Sequence, residues 1–234
     1  MSRENLVMEQ DVRLGEDVEI GANVVIKAGT VIGDGVTIQD NVVLGKQPRL
    51  GRGSTAGASE LPPLWIGRGA AICTGAVVFA GTRIEARAII GDQAFVRERC
   101  VVGEGSVVGR AVTVENDVPI GAGCRIQSNA YITAYSELED DVFVAPGVMT
   151  TNDNFMGRTD ARHELVKGAI LRRGCRIGGG VVLLPGIEVG VEAFVAAGAL
   201  VTKDVPAHKL VAGLPAQVWR DVAPEELLAS EPGE

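Results

Sequence analysis

One polar stretch, TTNDNFMGR from Thr150 to Arg158, concentrates side chains that could bind a charged ligand. This stretch and the residues after it supply hydrogen-bonding groups, an apolar pair and cations: Asn152, Asp153, Asn154, Phe155, Met156, Arg158, Arg162 and His163. Binding sites for small molecules combine apolar walls with a few placed polar groups, and Arg matches phosphate oxygens. We therefore expect this stretch to hold an anionic nucleotide, with Asn152, Asp153, Asn154 and Arg158 as its contacts.

The elements that must position this stretch follow a six-residue repeat. Aliphatic residues recur at every sixth position in three runs, Met8 to Leu44, Ile66 to Val144 and Leu171 to Val201. A period of six fits neither a helix nor the alternation of a single strand. It predicts a solenoid of short strands joined by tight corners, with three hexads in each triangular coil. The 27 hexads predict about nine coils.

Two insertions interrupt the repeat, at residues 50–65 and 150–170. Loops on a rigid scaffold are where binding residues concentrate. The first insertion could equally be an idle surface loop. Its GRGSTAG is a weak phosphate-loop signal, because no strand precedes it and no helical pattern follows. The second insertion, with its dense polar content, is expected to bind substrate.

The hexad pattern resembles the hexapeptide-repeat, left-handed β-helix family, whose members are mostly acyltransferases. The resemblance covers roughly residues 8–220 and implies an all-β fold, a left-handed parallel β-helix carrying two inserted loops. Left-handedness comes from the resemblance alone, because crossovers between parallel strands are ordinarily right-handed. We expect residues 1–220 to form this domain and residues 221–234 to form a short helix and an acidic tail.

Two segments carry closer resemblances. The TNDN of the second insertion resembles a loop of hexapeptide N-acyltransferases that act on nucleotide-linked amino sugars, where it covers a substrate cleft between subunits. The segment VAAGALVTKDVPAHKLVAGLPAQV, Val195 to Val218, is similar to the family's coenzyme A segment. This implies acetyl-CoA as co-substrate, a homotrimer, and coenzyme contacts at Ala197, Gly198, Thr202 and Lys203. The same segment could also be a cap that shields the last coil's open edge.

The proton acceptor for amide formation is a separate question. Joining an amine to a thioester needs a free amine, an aligned thioester and an oxyanion donor. Many hexapeptide acetyltransferases use a histidine base, but this chain has only His163 and His208. We expect neither of them at a coil corner, where a side chain would be rigidly held. His163, within the second insertion, remains a candidate.

Carboxylates at corners are better placed. GDQAFVRE and VENDVPIG resemble family segments around the catalytic cleft, which makes Asp92 and Glu115 the candidate carboxylates and Asn116 a substrate ligand. Counting hexads in threes puts Asp92 and Glu115 on different edges of the prism, so that they could meet only across a trimer interface. The same count puts the second insertion on the edge of Asp92.

Bulk properties exclude several classes of protein. The net charge of −8 argues against nucleic-acid binding. No signal peptide or membrane-spanning apolar run is visible, so the expected location is the cytoplasm. The four cysteines form no CxxC pair, and three of them, Cys100, Cys124 and Cys175, occupy the repeat's small core position as filler. Two histidines cannot build the three-histidine zinc site of γ-class carbonic anhydrases, and we expect no metal.

The leading interpretation is an acyl-CoA-dependent N-acyltransferase, acetyl being the expected acyl group, that acts on the amine of a nucleotide-linked amino sugar. One alternative is a hexapeptide O-acetyltransferase acting on a small hydroxyl acceptor. Such an enzyme normally requires a well-placed histidine. The other is a solenoid scaffold without catalytic activity, which would not bind acetyl-CoA.

Overall fold

The hexads fold into the expected left-handed parallel β-helix. The structure is a computed structural model that describes residues 4–51, 54, 56, 60–160 and 162–228, with the backbone only of Arg162. Three parallel sheets form the faces of a triangular prism, and each turn of the chain contributes one short strand to each sheet. Among these described residues, no helix is long and apolar enough to cross a membrane.

The strands of the three faces, here called sheets A, B and C, follow one another in strict rotation along the chain. Sheet A contains β1 (Val7–Met8), β4 (Val25–Ile26), β7 (Val43–Lys46), β10 (Val77–Phe79), β13 (Phe95–Val96), β16 (Thr113–Val114), β19 (Tyr131–Ile132), β22 (Met149–Thr150), β25 (Val182–Leu183) and β28 (Leu200–Val201). Sheet B contains β2 (Arg13–Leu14), β5 (Val31–Ile32), β8 (Trp65–Ile66), β11 (Arg83–Ile84), β14 (Val101–Val102), β17 (Pro119–Ile120), β20 (Glu137–Leu138), β23 (Ile170–Leu171) and β26 (Glu188–Val189). Sheet C contains β3 (Glu19–Ile20), β6 (Thr37–Ile38), β9 (Ala71–Ile72), β12 (Ile89–Ile90), β15 (Val107–Val108), β18 (Arg125–Ile126), β21 (Phe143–Val144), β24 (Arg176–Ile177), β27 (Phe194–Val195), β29 (Lys209–Gly213) and β30 (Ala216–Asp221).

The core is a column of aliphatic side chains stacked in register. Ile66 and Ile84 are paired in neighbouring coils of sheet B, and both are fully buried. Between strands, the chain turns through corners whose second residue has a positive φ, such as 73° at Gly29 and 60° at Asn41. Gly and Asn tolerate this left-handed conformation best, which explains their frequency at the corners. The three cysteines predicted to be core filler, Cys100, Cys124 and Cys175, are confirmed as free and buried.

The repeat has three positions more than the 27 hexads counted from the sequence, namely one extra hexad at the start of the second insertion, and Val205 and β29 after the third run. β1 to β27 make nine complete coils, and β28, Val205 and β29 continue into a tenth. The extra hexad ends at Thr150, which is 1% exposed in a slot otherwise filled by aliphatic residues. Its hydroxyl accepts the Thr133 N–H at 2.8 Å and donates to the Tyr131 carbonyl at 3.2 Å. A threonine satisfied in this way substitutes for valine in the core.

This extra hexad changes the edge from which the second insertion leaves. We name each prism edge by the two sheets that it joins. The first insertion, 47–64, and the second, 151–169, both leave sheet A and return to sheet B, so both lie on the A–B edge. The second insertion contains one short helix, α1 (Arg162–Leu165).

The C-terminal part of the chain closes the solenoid. β29 pairs parallel to β27, and β30 folds back antiparallel on β29. This hairpin covers the end of sheet C, as expected of a cap that satisfies an open strand edge. A 3-10 helix, η1 (Pro224–Glu226), follows the hairpin.

Candidate active site on the A–B edge

Buried polar side chains are concentrated on the A–B edge. Six of the nine buried polar or charged residues among those described lie there, and a seventh, Thr150, ends the sheet A strand that precedes this edge; the six are Thr30, Thr82, Glu98, Asn116, Thr133 and Ser136. Burying a polar group costs free energy unless it is hydrogen-bonded. The other corners of the solenoid largely avoid this cost, so the A–B edge is chemically distinct from the rest of the prism.

The central feature of this edge is a carboxylate with no solvent exposure, that of Glu98. It accepts hydrogen bonds from Arg97 Nε at 3.1 Å and Nη2 at 2.8 Å. The remaining terminal nitrogen of Arg97 donates to Glu115 Oε2 at 2.7 Å, one coil further on. Arg97 thereby fixes the position of Glu115, whose side chain keeps 20% exposure.

A second ion pair continues the network. Arg99 donates from Nε and Nη2 to the two carboxylate oxygens of Asp117, at 2.6 and 2.8 Å. Asn116 donates its side-chain amide to Asp117 at 2.7 Å. Arg99 also lies 3.9 Å from Glu98, so carboxylates and guanidinium groups alternate from Asp117 to Glu115.

The pKa values reflect this alternation. Burial acts to lower the pKa of Arg97, but its hydrogen bonds to Glu98 and Glu115 outweigh burial, and the pKa is raised. Burial likewise acts to raise the pKa of Asp117, but the hydrogen bonds from Arg99 and Asn116 and the positive charges of Arg99 and Arg97 together outweigh burial, and the pKa is lowered. The pKa of Tyr131 is raised, first by burial and then by the negative charge of Glu115. Tyr131 and Glu115 therefore act on one another.

Two cavities flank this network on the same edge. One, of about 480 Å³, lies beneath the second insertion, and its lining includes Tyr131, Thr133, Met149, Asn152, Asn154 and Leu184. The other, of about 340 Å³, lies at the root of the first insertion, and its lining includes Lys46, Arg49, Phe79, Phe95, Arg97 and Glu115. Because Glu115 lines one cavity and interacts with Tyr131 in the other, the two cavities adjoin at this pair.

The structure gives different roles to the predicted loop residues. Asn152 donates its side-chain amide to the Ala134 carbonyl at 3.2 Å, which anchors the loop to the coil below. Asp153 accepts the backbone N–H groups of Phe155 at 2.7 Å and Gly157 at 2.9 Å, so its carboxylate closes a turn. Asn154 lines the cavity and is exposed. Arg158 is exposed and is not part of the described cavity lining.

The candidate carboxylates lie on different edges, as the hexad count predicted. Asp92 occupies an exposed corner between β12 and β13, on the C–A edge, and Glu115 follows β16 on the A–B edge. The prediction that the second insertion shares an edge with Asp92 is wrong. Because the insertion leaves after β22, it shares the edge of Glu115 instead.

The two histidines lie outside the cavities. His163 is exposed on α1. His208 was not expected at a corner, but it occupies one, with a φ of 58°, between Val205 and β29. Neither is among the described residues that line the two cavities.

The predicted coenzyme contacts lie on both sides of sheet A. Ala197 and Gly198 form an exposed corner on the C–A edge, and a side chain at Gly198 would meet open space. Thr202 and Lys203 follow β28 on the A–B edge, in line with Glu115 and the second insertion. Among the described residues, no group of three or more His, Cys, Asp or Glu side chains is placed to hold a metal ion.

Sequence reasoning missed several members of the network: Arg97, Glu98, Arg99, Asp117 and Tyr131. A usable signal was present, because the opposite charges Arg97 and Glu115, and likewise Arg99 and Asp117, are spaced by 18 residues, which is one coil. Pairing charges at that spacing would have found both ion pairs.

Two family models match the chain. "Bacterial transferase hexapeptide (six repeats)" matches residues 11–46, and "Hexapeptide repeat of succinyl-transferase" matches residues 81–134 and 173–203. Together they cover just over half of the chain.

Similar proteins match in shorter segments. The chain is 34% identical over 102 residues to the bifunctional protein GlmU of Shouchella clausii, covering 44% of this chain and 20% of that protein. It is 52% identical over 46 residues to a 2,3,4,5-tetrahydropyridine-2,6-dicarboxylate N-acetyltransferase of Enterococcus faecalis, covering 20% of each. The chain thus spans about one fifth of the length of these relatives.

Solved structures share the fold over nearly the whole chain. An Arabidopsis UDP-N-acetylglucosamine acyltransferase superposes with a TM-score of 0.53 at 14% identity, covering 95% of this chain and 74% of that one. The LpxA UDP-N-acetylglucosamine acyltransferase of Bacteroides fragilis gives a TM-score of 0.50 at 21% identity, covering 94% and 74%. At these identities the likeness concerns the β-helix itself.

Proposed function

The chain belongs to the hexapeptide-repeat transferase family, and from this premise we propose that it is an acyl-CoA-dependent N-acyltransferase. Acetyl-CoA is the proposed donor, and the amino group of a nucleotide-linked amino sugar is the proposed acceptor. The enzyme works as a cytoplasmic homotrimer in this proposal. The N-acetyltransferase among its sequence relatives supports the reaction type.

One observation carries the proposal. Glu115 is held by Arg97, which is itself locked by the buried Glu98, at the point where two cavities adjoin. Catalytic groups need such support, because small displacements of a base cost large factors in rate. The solenoid core is built from stacked aliphatic side chains, so this chain of buried and partly buried charges is a local feature of the A–B edge.

The reaction follows from this placement. The acceptor nitrogen attacks the thioester carbonyl, so that a C–N bond forms and the C–S bond breaks. Glu115 accepts the proton that the nitrogen loses and passes it to the leaving coenzyme A thiolate, so that the products are the amide and the free thiol and Glu115 is again a carboxylate. The Tyr131 hydroxyl is hydrogen-bonded to Glu115; as Glu115 takes up the proton, this hydroxyl can turn and donate instead to the carbonyl oxygen, where negative charge develops.

The acceptor and the donor approach from opposite ends of the A–B edge. Asn116, Asn152, Asp153, Asn154 and Arg158 are the proposed substrate-binding residues, with Asp153 acting through the turn that it closes. Thr202 and Lys203, on the same edge, and Ala197 and Gly198, across sheet A, are the proposed coenzyme contacts. The cavity beneath the second insertion then lies between the coenzyme segment and Glu115.

Asp92 enters this proposal from a neighbouring subunit. It lies on the C–A edge, so it cannot face Glu115 within one solenoid. In a homotrimer with head-to-tail contacts, the C–A edge of one subunit can approach the A–B edge of the next. Asp92 would then orient the acceptor amine opposite Glu115, and His163, on the exposed helix α1, would be the reserve base.

An N-acyltransferase is preferred to an O-acyltransferase because neither histidine lines the described parts of the cavities. A neutral amine attacks through its own lone pair and loses its proton only afterwards, whereas a hydroxyl must lose its proton as it attacks and needs a stronger, well-placed base. The carboxylate of Glu115 suffices for the first but not for the second.

The test is a mass-spectrometric screen with acetyl-CoA as donor. Amino-sugar nucleotides are compared with matched sugar nucleotides that carry a hydroxyl in place of the amine. We expect acetylated product and free coenzyme A only with the amines. Acetylation of the hydroxyl compounds alone would show an O-acyltransferase. Failure to bind acetyl-CoA would favour the interpretation as a solenoid scaffold without catalytic activity.

A further inference from the structure

The cavity of about 340 Å³ at the root of the first insertion contains cations that the transfer step does not use. Lys46 and Arg49 line it on one side, and the Arg97–Glu115 pair lines it on the other. Among the described residues, neither Lys46 nor Arg49 forms an ion pair, whereas Arg97 and Arg99 on the same edge are each paired with carboxylates.

Lys46 is held at the wall of the cavity by aromatic rings. Its Nζ lies 5.1 Å from the centroid of Phe79 and 5.8 Å from that of Phe95. The two rings contact each other edge to face, with centroids 5.1 Å apart. A ring face attracts the ammonium but does not neutralise its charge. The rings therefore restrict Lys46 while leaving its positive charge available to a ligand.

Ser54 adds a neutral donor to the same wall. Its Oγ accepts the N–H of Ala56 at 3.2 Å. A hydroxyl can accept and donate at once, so the hydroxyl hydrogen of Ser54 remains available. An ammonium, a guanidinium and a hydroxyl converging on one space are the donors that a phosphate group takes.

The unpaired cations of the cavity are thus confined to the first insertion. The Glu115 carboxylate, paired with Arg97, lies at the opposite end, next to Tyr131. The complementary ligand has an anionic group at one end and an amine at the other. We propose that Lys46, Arg49 and Ser54 form a phosphate subsite that holds the diphosphate of the acceptor while its amino group faces Glu115.

This inference rests on the proposed function and changes where the nucleotide lies. The coenzyme segment occupies the C-terminal end of the A–B edge, beyond the second insertion. A phosphate subsite at the first insertion leaves that end free for the donor, and the acceptor enters from the N-terminal side. Local cations are also needed because a net charge of −8 repels a polyanion at long range.

The experiment is isothermal titration calorimetry on the full chain with uridine 5′-diphosphate, inorganic pyrophosphate and uridine as probes. The variant is Lys46→Gln with Arg49→Gln. The matched control, Arg68→Gln with Arg125→Gln, removes the same charge on the B–C edge and on sheet C, away from the proposed site, from two exposed residues without ion pairs among those described. We expect the two phosphorylated probes to bind, and their Kd to rise about tenfold or more in the variant and less than twofold in the control. Uridine should not bind measurably.

Three results would overturn the subsite. If the variant binds both phosphorylated probes with unchanged affinity, Lys46 and Arg49 do not contact the phosphates. Equal weakening in the control would show that only the overall field matters. Weakening by Asn152→Ala with Asn154→Ala, but not by the variant, would place the phosphates beneath the second insertion.

Kinetics separate failure of the subsite from failure of the proposed function. If the wild type acetylates an amino-sugar nucleotide, the variant should raise the KM for this acceptor at least fivefold and leave the KM for acetyl-CoA unchanged. An unchanged acceptor KM would remove the subsite while the function stands. If no amine is acetylated but diphosphate binding depends on Lys46 and Arg49, the subsite stands and the function fails.

Discussion

Replacing Glu98 by Ala tests whether the buried network supports the A–B edge. Glu98 is fully buried and accepts two hydrogen bonds from Arg97. Removing one partner of a buried ion pair typically costs about 3–5 kcal/mol. The loss in free energy of unfolding should be near the lower end, about 3 kcal/mol, because neither guanidinium is left without a partner. Arg97 still pairs with Glu115 at 2.7 Å, and Arg99 still pairs with Asp117 at 2.6 Å.

The assay is urea unfolding followed by circular dichroism at one fixed protein concentration, since assembly would make stability depend on concentration. The matched control is Glu85→Ala, which removes a carboxylate from a surface pair with Arg83 whose side chains are 31% and 53% exposed. Such pairs contribute about 0–1 kcal/mol. If Glu98→Ala costs no more than Glu85→Ala, the network contributes nothing to stability and our reasoning about this edge is wrong.

Three further predictions address single groups. Ionised Asp117, whose pKa is lowered in the fold, stabilises the fold fully above about pH 4, the unfolded value, and this contribution disappears as the pH falls through the folded pKa. The loss in free energy of unfolding caused by Asp117→Asn should therefore be largest at about pH 6 and shrink as the pH is lowered below about 4, and a loss that is the same at every pH would contradict the assignment. Burial raises the pKa of Cys100 to about 12 and that of Cys124 to about 11. At pH 8 a thiol reagent should therefore modify only the half-buried Cys73 until the chain is unfolded. Rapid modification of all four thiols in the folded protein would contradict the burial of the other three. Lys203→Ala should weaken acetyl-CoA binding severalfold in calorimetry and reduce its salt dependence, and unchanged affinity would remove Lys203 as a coenzyme contact.

The solenoid was predictable because each of its coils repeats one physical requirement. An aliphatic residue at every sixth position must face the core, and corners must contain residues that tolerate a positive φ. These two rules fix strand order, register and the burial of Cys100, Cys124 and Cys175. The rules did not identify Thr150 as a core residue, because its hydroxyl is hydrogen-bonded to backbone groups that only the folded coil supplies. Because this one hexad was not counted, the second insertion was predicted on the wrong edge of the prism.

The candidate site was less predictable because a corner residue looks the same in sequence whether it is buried or solvated. Glu98 and Asp34 occupy equivalent corner positions, but Glu98 is buried by its neighbours and Asp34 caps a backbone N–H on the surface. Likewise, Asp153 reads as a ligand in TNDN, but its carboxylate closes a turn. Burial and hydrogen bonding of this kind depend on adjacent coils, which lie 18 residues away in the chain.

The central claim is that the acceptor amine reacts beside Glu115, and steady-state kinetics of Glu115→Gln test it most directly. The matched control is Glu137→Gln, an exposed carboxylate on sheet B without an ion pair among the described residues. With an accepted amino-sugar nucleotide, Glu115→Gln should lower kcat by about 10²-fold or more while the acetyl-CoA KM stays within twofold, and the control should match the wild type. Full kcat in Glu115→Gln would contradict the account and move the chemistry away from the A–B edge.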